Sequence, residues 1–241
     1  MPPIRRYEEI AAHYRRLIQD GDLTPGDSLP TLRKVCEEFG VAMATANRAF
    51  QILKTEGLTR ATSEGTVVNE RPAIVISGID RLDRLTRTGR RYGPGEDSTG
   101  HRVMRRSVYD ADVCGALEIE PGDEVVIRIR TFRQDEQPTS VGVSVYPPRT
   151  TSVVPELSEE ERMERYFGDL YTERTGQEVV KGQRTAHARQ ASQDEIDALQ
   201  LDVPAHMAVA VLVTNVTFHD EEGPIGYWED VYAPGKRIPT A

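Results

Sequence analysis

Apolar side chains at Tyr7, Ile10, Ala11, Tyr14, Leu17 and Ile18 recur at the i, i+3, i+4, i+7, i+10 and i+11 spacing of one helical face, with Glu8, Glu9, Arg15 and Arg16 between them. This predicts a first helix that stops at Gly21, ahead of the turn residues Thr24-Pro25-Gly26-Asp27. Leu29-Pro30-Thr31 introduces a second helix, with Leu32, Val35, Cys36 and Phe39 inward and Gly40 at its end. After the turn Gly40-Val41-Ala42, a third helix carries Ala46, Ala49, Phe50 and Leu53 at core spacing. Glu56-Gly57 closes it, and residues 58–61, 62–65 and 66–68 read as strand, turn and strand. Two short helices joined through a Gly-containing turn, then a hairpin, form the winged helix-turn-helix pattern.

Between Glu70 and about Gly100 no period is sustained. Pro72, the apolar patch Ile74-Val75-Ile76, an Arg-rich run and Gly93-Pro94-Gly95 predict a linker with at most a short strand or helical turn. Beyond it the period shortens to two. Strands are expected at 101–108, 125–131, 140–146, 179–189, 207–218 and 225–232, with hairpin turns at Asp135-Glu136-Gln137 and Asp220-Glu221-Glu222-Gly223. Short helices are expected at 111–117 and 192–199, and a longer one from the Ser158/Glu161 capping box to Arg174, closed by Gly176. Strands joined mainly by hairpins, with helices inserted, predict an α+β domain on a largely antiparallel sheet. The expected division is 1–71 for the winged helix, 72–97 for the linker and 98–241 for the second domain.

A length of 241 residues allows two cores. The net charge of −9 is uneven: residues 1–71 hold ten Lys/Arg and ten Asp/Glu, 72–106 eight and four, and 107–241 twelve and twenty-five. All the excess acid lies in the C-terminal part, which leaves a local basic face available in the first seventy residues. No apolar run is long enough to cross a bilayer, and no leader pattern opens the chain, so a cytoplasmic protein without membrane partners is expected. Cys36 and Cys114 are far apart and lack ligand-spaced neighbours; neither a disulfide nor a metal site is expected, and Cys36 reads as a buried small residue. There is no nucleophile elbow, phosphate loop or metal cluster, so no catalytic residue or cofactor is assigned. His187, His206 and His219 are isolated and read as structural.

The outward positions of the third helix are Met43, Ala44, Thr45, Asn47, Arg48 and Gln51. Asn47 can pair bidentately with adenine, Arg48 can reach guanine or a phosphate, and Thr45 can meet a thymine methyl or a phosphate; the bland alternative is a solvated helix face. Lys54 and Arg60 are expected on phosphates, Thr31 opens the second helix beside the DNA, and Gly65 at the wing tip lets backbone approach a groove. The run Arg81, Arg84, Arg87, Arg90 and Arg91 is open between DNA phosphates, the acidic domain and solvent.

The runs Leu29-Pro30-Thr31-Leu32-Arg33, Phe39-Gly40-Val41, Thr45, Ala49, Glu56-Gly57-Leu58 and Gly65-Thr66 resemble the N-terminal domain of GntR-type bacterial regulators. That resemblance implies binding to double-stranded operator DNA and makes Arg33 the foremost DNA contact, with an i, i+4 pair to Glu37 as the alternative. Relatives often carry Arg where this chain has Met43 and Asn47, so no consensus operator is carried over.

Residues 116–123, 199–204 and 223–232 resemble the UTRA effector domain of the HutC branch, over about 98–238, whose fold is shared with chorismate lyase. The resemblance implies a small-molecule effector and a homodimer. By it, Arg133 and Tyr232 match ligand-binding positions of sugar-phosphate sensors, whereas Thr131, Gly142 and Gly226 stand where relatives have other groups. Without the two carboxylates the effector is expected not to be an amino-sugar phosphate. Arg130, Arg133, Tyr146, Tyr166, Trp228 and Tyr232, with Gly142 and Gly226 widening the site, suit a larger, partly apolar or anionic molecule. Three functions stand at this point: a repressor released by its effector, a regulator whose second domain only dimerises, and a lyase-like enzyme with a DNA-binding tail.

Overall fold

A computed structural model describes residues 6–63, 65–69, 75–204, 207–236 and 238. The wing-turn position Glu64, the patch residues Pro72 and Ile74, and His206 lie outside the described residues. The chain divides into two units: Met1–Ile76 with Asp83–Pro94 and Lys236–Ala241, and Ser77–Leu82 with Gly95–Gly235.

In the first unit, α1 (Arg6–Asp20), α2 (Leu32–Phe39) and α3 (Met43–Thr55) precede the hairpin β1 (Thr59–Thr62) and β2 (Gly65–Val68). Apolar stripes build the core: Ile10, Ala11 and Tyr14 of α1 meet Val35 of α2 and Ala46, Ala49 and Leu53 of α3, all almost fully buried. Cys36 packs against this core from a half-buried position rather than inside it. Tyr14 stacks edge-on to Phe50, and burial pushes its hydroxyl up to about 12. Thr31 caps α2 by accepting from the Lys34 N–H, and Gly40 ends it at φ 62°, a left-handed geometry that a residue without Cβ adopts freely. Arg15 pairs with Glu56, tying α1 to the end of α3.

The linker expectation is overturned. Residues Gly78–Thr88 form an eleven-residue helix, α4, opened by a reciprocal cap in which the Ser77 N–H donates to Asp80 Oδ2 (3.0 Å) and the Asp80 N–H to Ser77 Oγ (3.1 Å). Two members of its arginine run, Arg81 and Arg84, are buried, whereas Arg87 and Arg90 stay exposed. Arg81 pairs with Glu96 at 2.6 Å, each 4% exposed. Arg84 lies 3.7 Å from Asp20, each 2% exposed, Arg87 also pairs with Asp20, and Arg90 lies 3.7 Å from Asp22. The inward side of α4 therefore includes two guanidinium groups, Arg81 and Arg84, with buried counter-charges, which apolar periodicity does not register.

The second unit is a mixed α+β domain on one antiparallel sheet. Its strands are β3 (Glu96–Ser107), β4 (Glu124–Gln134), β5 (Gln137–Tyr146), β6 (Val180–Lys181), β7 (Thr185–Gln190), β8 (Ala210–Asp220) and β9 (Gly223–Tyr232). They run in the order β3-β4-β5-β9-β8-β6, with β7 also on β8. Val125, Val145 and Tyr227 pack on α5 (Ala111–Leu117), and Val141, Val213 and Val231 on Leu199 beyond α8 (Gln193–Ala198). On the opposite face Tyr146, Val216 and Phe218 meet Leu82 of α4, the segment after α6 (Pro148–Val153), and α7 (Phe167–Thr175).

Two expectations in this unit change. The helix expected from Ser158 starts only at Phe167: Ser158 instead ends a 3-10 turn at Pro155–Ser158. The cause is Arg128, whose guanidinium donates to the carbonyls of Glu156, Leu157, Glu159 and Glu161 at 2.6–3.3 Å and so spends acceptors that a helix would need. The single strand expected over 179–189 is split into β6 and β7 around Gly182. His187 stands exposed on β7, which removes its structural reading, whereas His219 is half-buried. The capping box at Ser192 and Glu195 forms as the sequence predicts.

Candidate nucleic-acid interface and ligand face

The third helix turns its polar side outward because Ala46, Ala49 and Leu53 hold the other side at 0% exposure. Asn47, Arg48, Ala44 and Gln51 are exposed, Met43 is 51% exposed, and Thr45 is half-buried. The Arg48 guanidinium lies 4.2 Å over the Tyr7 ring of α1. The N-cap of α3 is Ala42, which brings no side-chain oxygen to the first-turn N–H groups. An uncapped start next to short side chains suits a phosphate oxygen.

Arg33 has its side chain 85% exposed and its pair with Glu37 long (3.4 Å) and open to water, so it is not locked away from a polyanion. Lys54 and Arg60 are exposed as well. At the wing, β1 and β2 pair from Thr59↔Val68 to Thr62↔Gly65, and Ser28 adds a bridge to Val67. Gly65 has φ 135° and open space where a Cβ would stand, and its carbonyl accepts from Thr62 Oγ1 at 3.0 Å, so no side chain stands over the backbone there. Thr31, expected beside DNA, spends its hydroxyl on the α2 cap, a role compatible with placing Arg33 two residues on.

In the second unit, strand register gathers a polar group in the middle of the α4/α7 face. Arg130, Gly142, Asp230 and Thr214 are cross-strand neighbours, flanked by Phe132, Ser140 and Tyr232 on one side and by Arg128, Ser144 and Trp228 on the other. Arg130, Tyr146, Trp228 and Tyr232 are therefore brought together as expected. Tyr146 is 3% exposed and its hydroxyl accepts from Trp228 Nε1 at 2.8 Å; the Tyr232 hydroxyl, 3.0 Å from Thr214 Oγ1, is kept protonated by burial and by Asp230.

Other expected members behave differently. Arg133 donates to the Glu136 carbonyl inside the β4–β5 turn and is not gathered with Arg130. Gly142 and Gly226 do not widen a site: a Cβ on Gly142 would meet the Phe132 ring at 2.7 Å, and one on Gly226 the Tyr146 ring at 3.2 Å. The glycines make room for aromatic rings of the same sheet. Tyr166 sits at the N-cap of α7 and joins an edge-to-face cluster with Phe167 and Trp228.

Asp230 was not singled out by sequence, although its place between Trp228 and Tyr232 on one strand puts it on their face. Its carboxylate accepts from the Gly78 N–H at 2.7 Å, at the start of α4. Burial raises its pKa, against the pull of Arg81, that N–H and Arg130. His101 is held below its usual pKa by burial and by Arg130. Among the described residues no group of His, Cys, Asp and Glu is placed to hold a metal ion, and no helix is long and apolar enough to cross a membrane.

Comparison with known proteins finds two family matches along the chain. Residues 6–68 match the model of the bacterial regulatory proteins of the gntR family, and residues 98–238 match the UTRA domain. An uncharacterized HTH-type transcriptional regulator of Streptomyces coelicolor, SCO4628, is 29% identical over 162 residues, covering 61% of this chain and 59% of the relative. The mannosyl-D-glycerate transport/metabolism system repressor MngR of Escherichia coli is 30% identical over 156 residues, covering 61% and 63%. In both, the match spans less than two thirds of the relative's length. The crystal structure of PhnF from Mycobacterium smegmatis shares the fold at a TM-score of 0.50 and 19% identity, over 96% of this chain and 97% of that one. The relatives are regulators rather than enzymes, and the chain belongs to the gntR family of bacterial regulatory proteins, with a UTRA domain as its second unit.

Proposed function

We propose that the chain is a homodimeric, sequence-specific DNA-binding repressor that a small-molecule effector releases from its operator. The observation that carries the DNA half is the outward polar side of α3, with Asn47 and Arg48 exposed and the helix start uncapped, together with an exposed Arg33 and a Gly65 that bears no side chain. In this reading Asn47 and Arg48 read base edges, while Arg33, Lys54 and Arg60 set register on phosphates. A dimer places two such helices on half-sites of an imperfect palindrome.

The effector half rests on the polar group around Arg130 and Asp230, in a domain whose relatives include a protein named as a repressor of a transport and metabolism system. Coupling of a few kcal/mol between effector and operator is enough to switch occupancy. The test is a metabolite panel screened by thermal shift on the full chain, followed by operator binding with each hit. A metabolite that raises Tm and lowers operator affinity is expected. If none raises Tm while operator binding persists, the second unit only dimerises and the effector reading fails.

A further inference from the structure

The exposed arginine of α3 has no carboxylate on its own helical face. Its neighbours at i−4, i−3, i+3 and i+4 are Ala44, Thr45, Gln51 and Ile52. Among the described residues the Arg48 guanidinium makes no hydrogen bond and no ion pair; what it meets is the Tyr7 ring of α1, whose centroid lies 4.2 Å from Cζ. Arg33 of α2 differs, because Glu37 at i+4 pairs with it.

A long side chain at an open helix position loses rotamer freedom when it is fixed against DNA. An ion pair would order it beforehand but would occupy the N–H groups that a base edge needs. An aromatic face orders it through the ring quadrupole and, taking no conventional hydrogen bond, leaves the N–H fork available to acceptors. Tyr7 can serve as such a platform because it is itself held. It belongs to the apolar stripe of α1 and packs, half-buried, against the core of the first unit. α1 is in turn fastened to α3: Tyr14 meets Phe50 edge-on at 5.6 Å, and Arg15 pairs with Glu56. The ring therefore keeps a fixed place relative to the helix that carries Arg48.

We propose that Tyr7 is a specificity-positioning residue, whose ring holds the Arg48 guanidinium ready for the O6 and N7 acceptors of one guanine in each half-site. This rests on the reading of α3 as the base-reading helix given above. A platform matters most for a base, which stands at one place in the groove; a phosphate can be met by an unsupported arginine from many directions.

The test is competition binding of the full chain to its selected operator and to operators changed one base pair at a time. The proteins compared are the parent, Tyr7→Leu, Tyr7→Phe, Arg48→Ala and the double variant of Tyr7→Leu with Arg48→Ala. The parent should prefer guanine at one position per half-site, and Arg48→Ala should lose that preference. Tyr7→Leu should lose about two- to fivefold of it per half-site, the worth of a cation–π contact at an exposed site, while the preference read by Asn47 stays as in the parent. Tyr7→Phe keeps the ring and should behave like the parent. In the Arg48→Ala background Tyr7→Leu should change nothing further, whereas a merely structural role would weaken binding there by the same factor. Melting curves check that each variant folds, and Tyr7→Met, another apolar filler without a ring, is read if Tyr7→Leu does not.

The proposal is overturned if Tyr7→Leu keeps the full guanine preference, if it weakens all sequences alike, or if its effect persists without Arg48. In each of these cases the loss of guanine preference in Arg48→Ala leaves the base-reading helix standing. If Arg48→Ala itself leaves base preference untouched, the reading of Arg48 as a base contact fails and the role of Tyr7 with it.

Discussion

Replacing Asp20 by Ala should loosen the first unit without touching the second. Asp20 is 3% exposed and faces two arginines, Arg84 at 3.7 Å with 2% exposure and Arg87 from a more open position. Removing one partner of a buried pair costs about 3–5 kcal/mol, because the remaining charge stays buried without its counter-charge. Arg87 is 41% exposed and can swing into water, so the lower end of that range applies. Arg84 also reaches the Arg91 carbonyl at 3.5 Å, a long contact that does not neutralise it. A loss of about 3 kcal/mol corresponds to a roughly hundredfold larger opening equilibrium. Hydrogen exchange read by mass spectrometry suits a two-unit chain, since a single unfolding curve would mix the units. Peptides covering 6–20 and 83–90 should exchange about a hundredfold faster, while those covering 124–146 keep parental rates. Unchanged protection in 83–90 would refute the claim that a buried ion pair holds that segment.

Three other expectations follow from the same geometry. Asn47→Ala should change which bases are preferred at one position of each half-site and cost about 1–3 kcal/mol there, whereas Lys54→Ala should weaken all sequences alike and flatten the salt dependence; competition binding at several salt concentrations distinguishes them. Ala42→Asp should stabilise the first unit by about 0.5–2 kcal/mol through the missing N-cap and yet weaken DNA binding by placing a carboxylate where a phosphate is expected; a rise in both, or a fall in both, would contradict the assignment. Asp230→Asn should gain in thermal stability relative to the parent as pH rises. The folded-state pKa of Asp230 lies above the ordinary 3.8, so the native state binds more protons than the unfolded one and the parent loses stability upward from that pH, a loss the amide does not suffer while still accepting from Gly78. Melting curves from pH 4 to 8 check the sign.

Where side chains follow a simple period, the sequence was legible. The winged helix shows through because Ile10, Tyr14, Val35, Ala46, Ala49 and Leu53 are apolar and buried at helical spacing. The β4–β5 and β8–β9 hairpins show through because alternate residues face α5 and α8, or α4 and α7. Helix α4 was missed since its inward residues include Arg81 and Arg84, whose partners Glu96 and Asp20 are fixed only by the tertiary fold. One local signal was available, the Ser77-x-x-Asp80 cap. The opposite error arose at Ser158 and Glu161, where a cap-like spacing lost to Arg128, a residue thirty positions earlier that takes the carbonyls.

The candidate ligand face was half legible. Strand parity places Arg130, Trp228 and Tyr232 together and would have added Asp230. Family position misplaced Arg133 and the two glycines, since whether a glycine opens space depends on which ring leans over it.

The central claim is that α3 reads DNA sequence through its exposed side. Selection of binding sites from a random double-stranded pool, run in parallel on the parent and on Arg33→Ala and Asn47→Ala, tests it most directly. The account predicts a two-half-site motif for the parent, the same motif bound much more weakly by Arg33→Ala, and a motif altered at one base per half-site for Asn47→Ala. Enrichment of an identical motif with equal affinity by all three proteins, or of none by the parent, would contradict it.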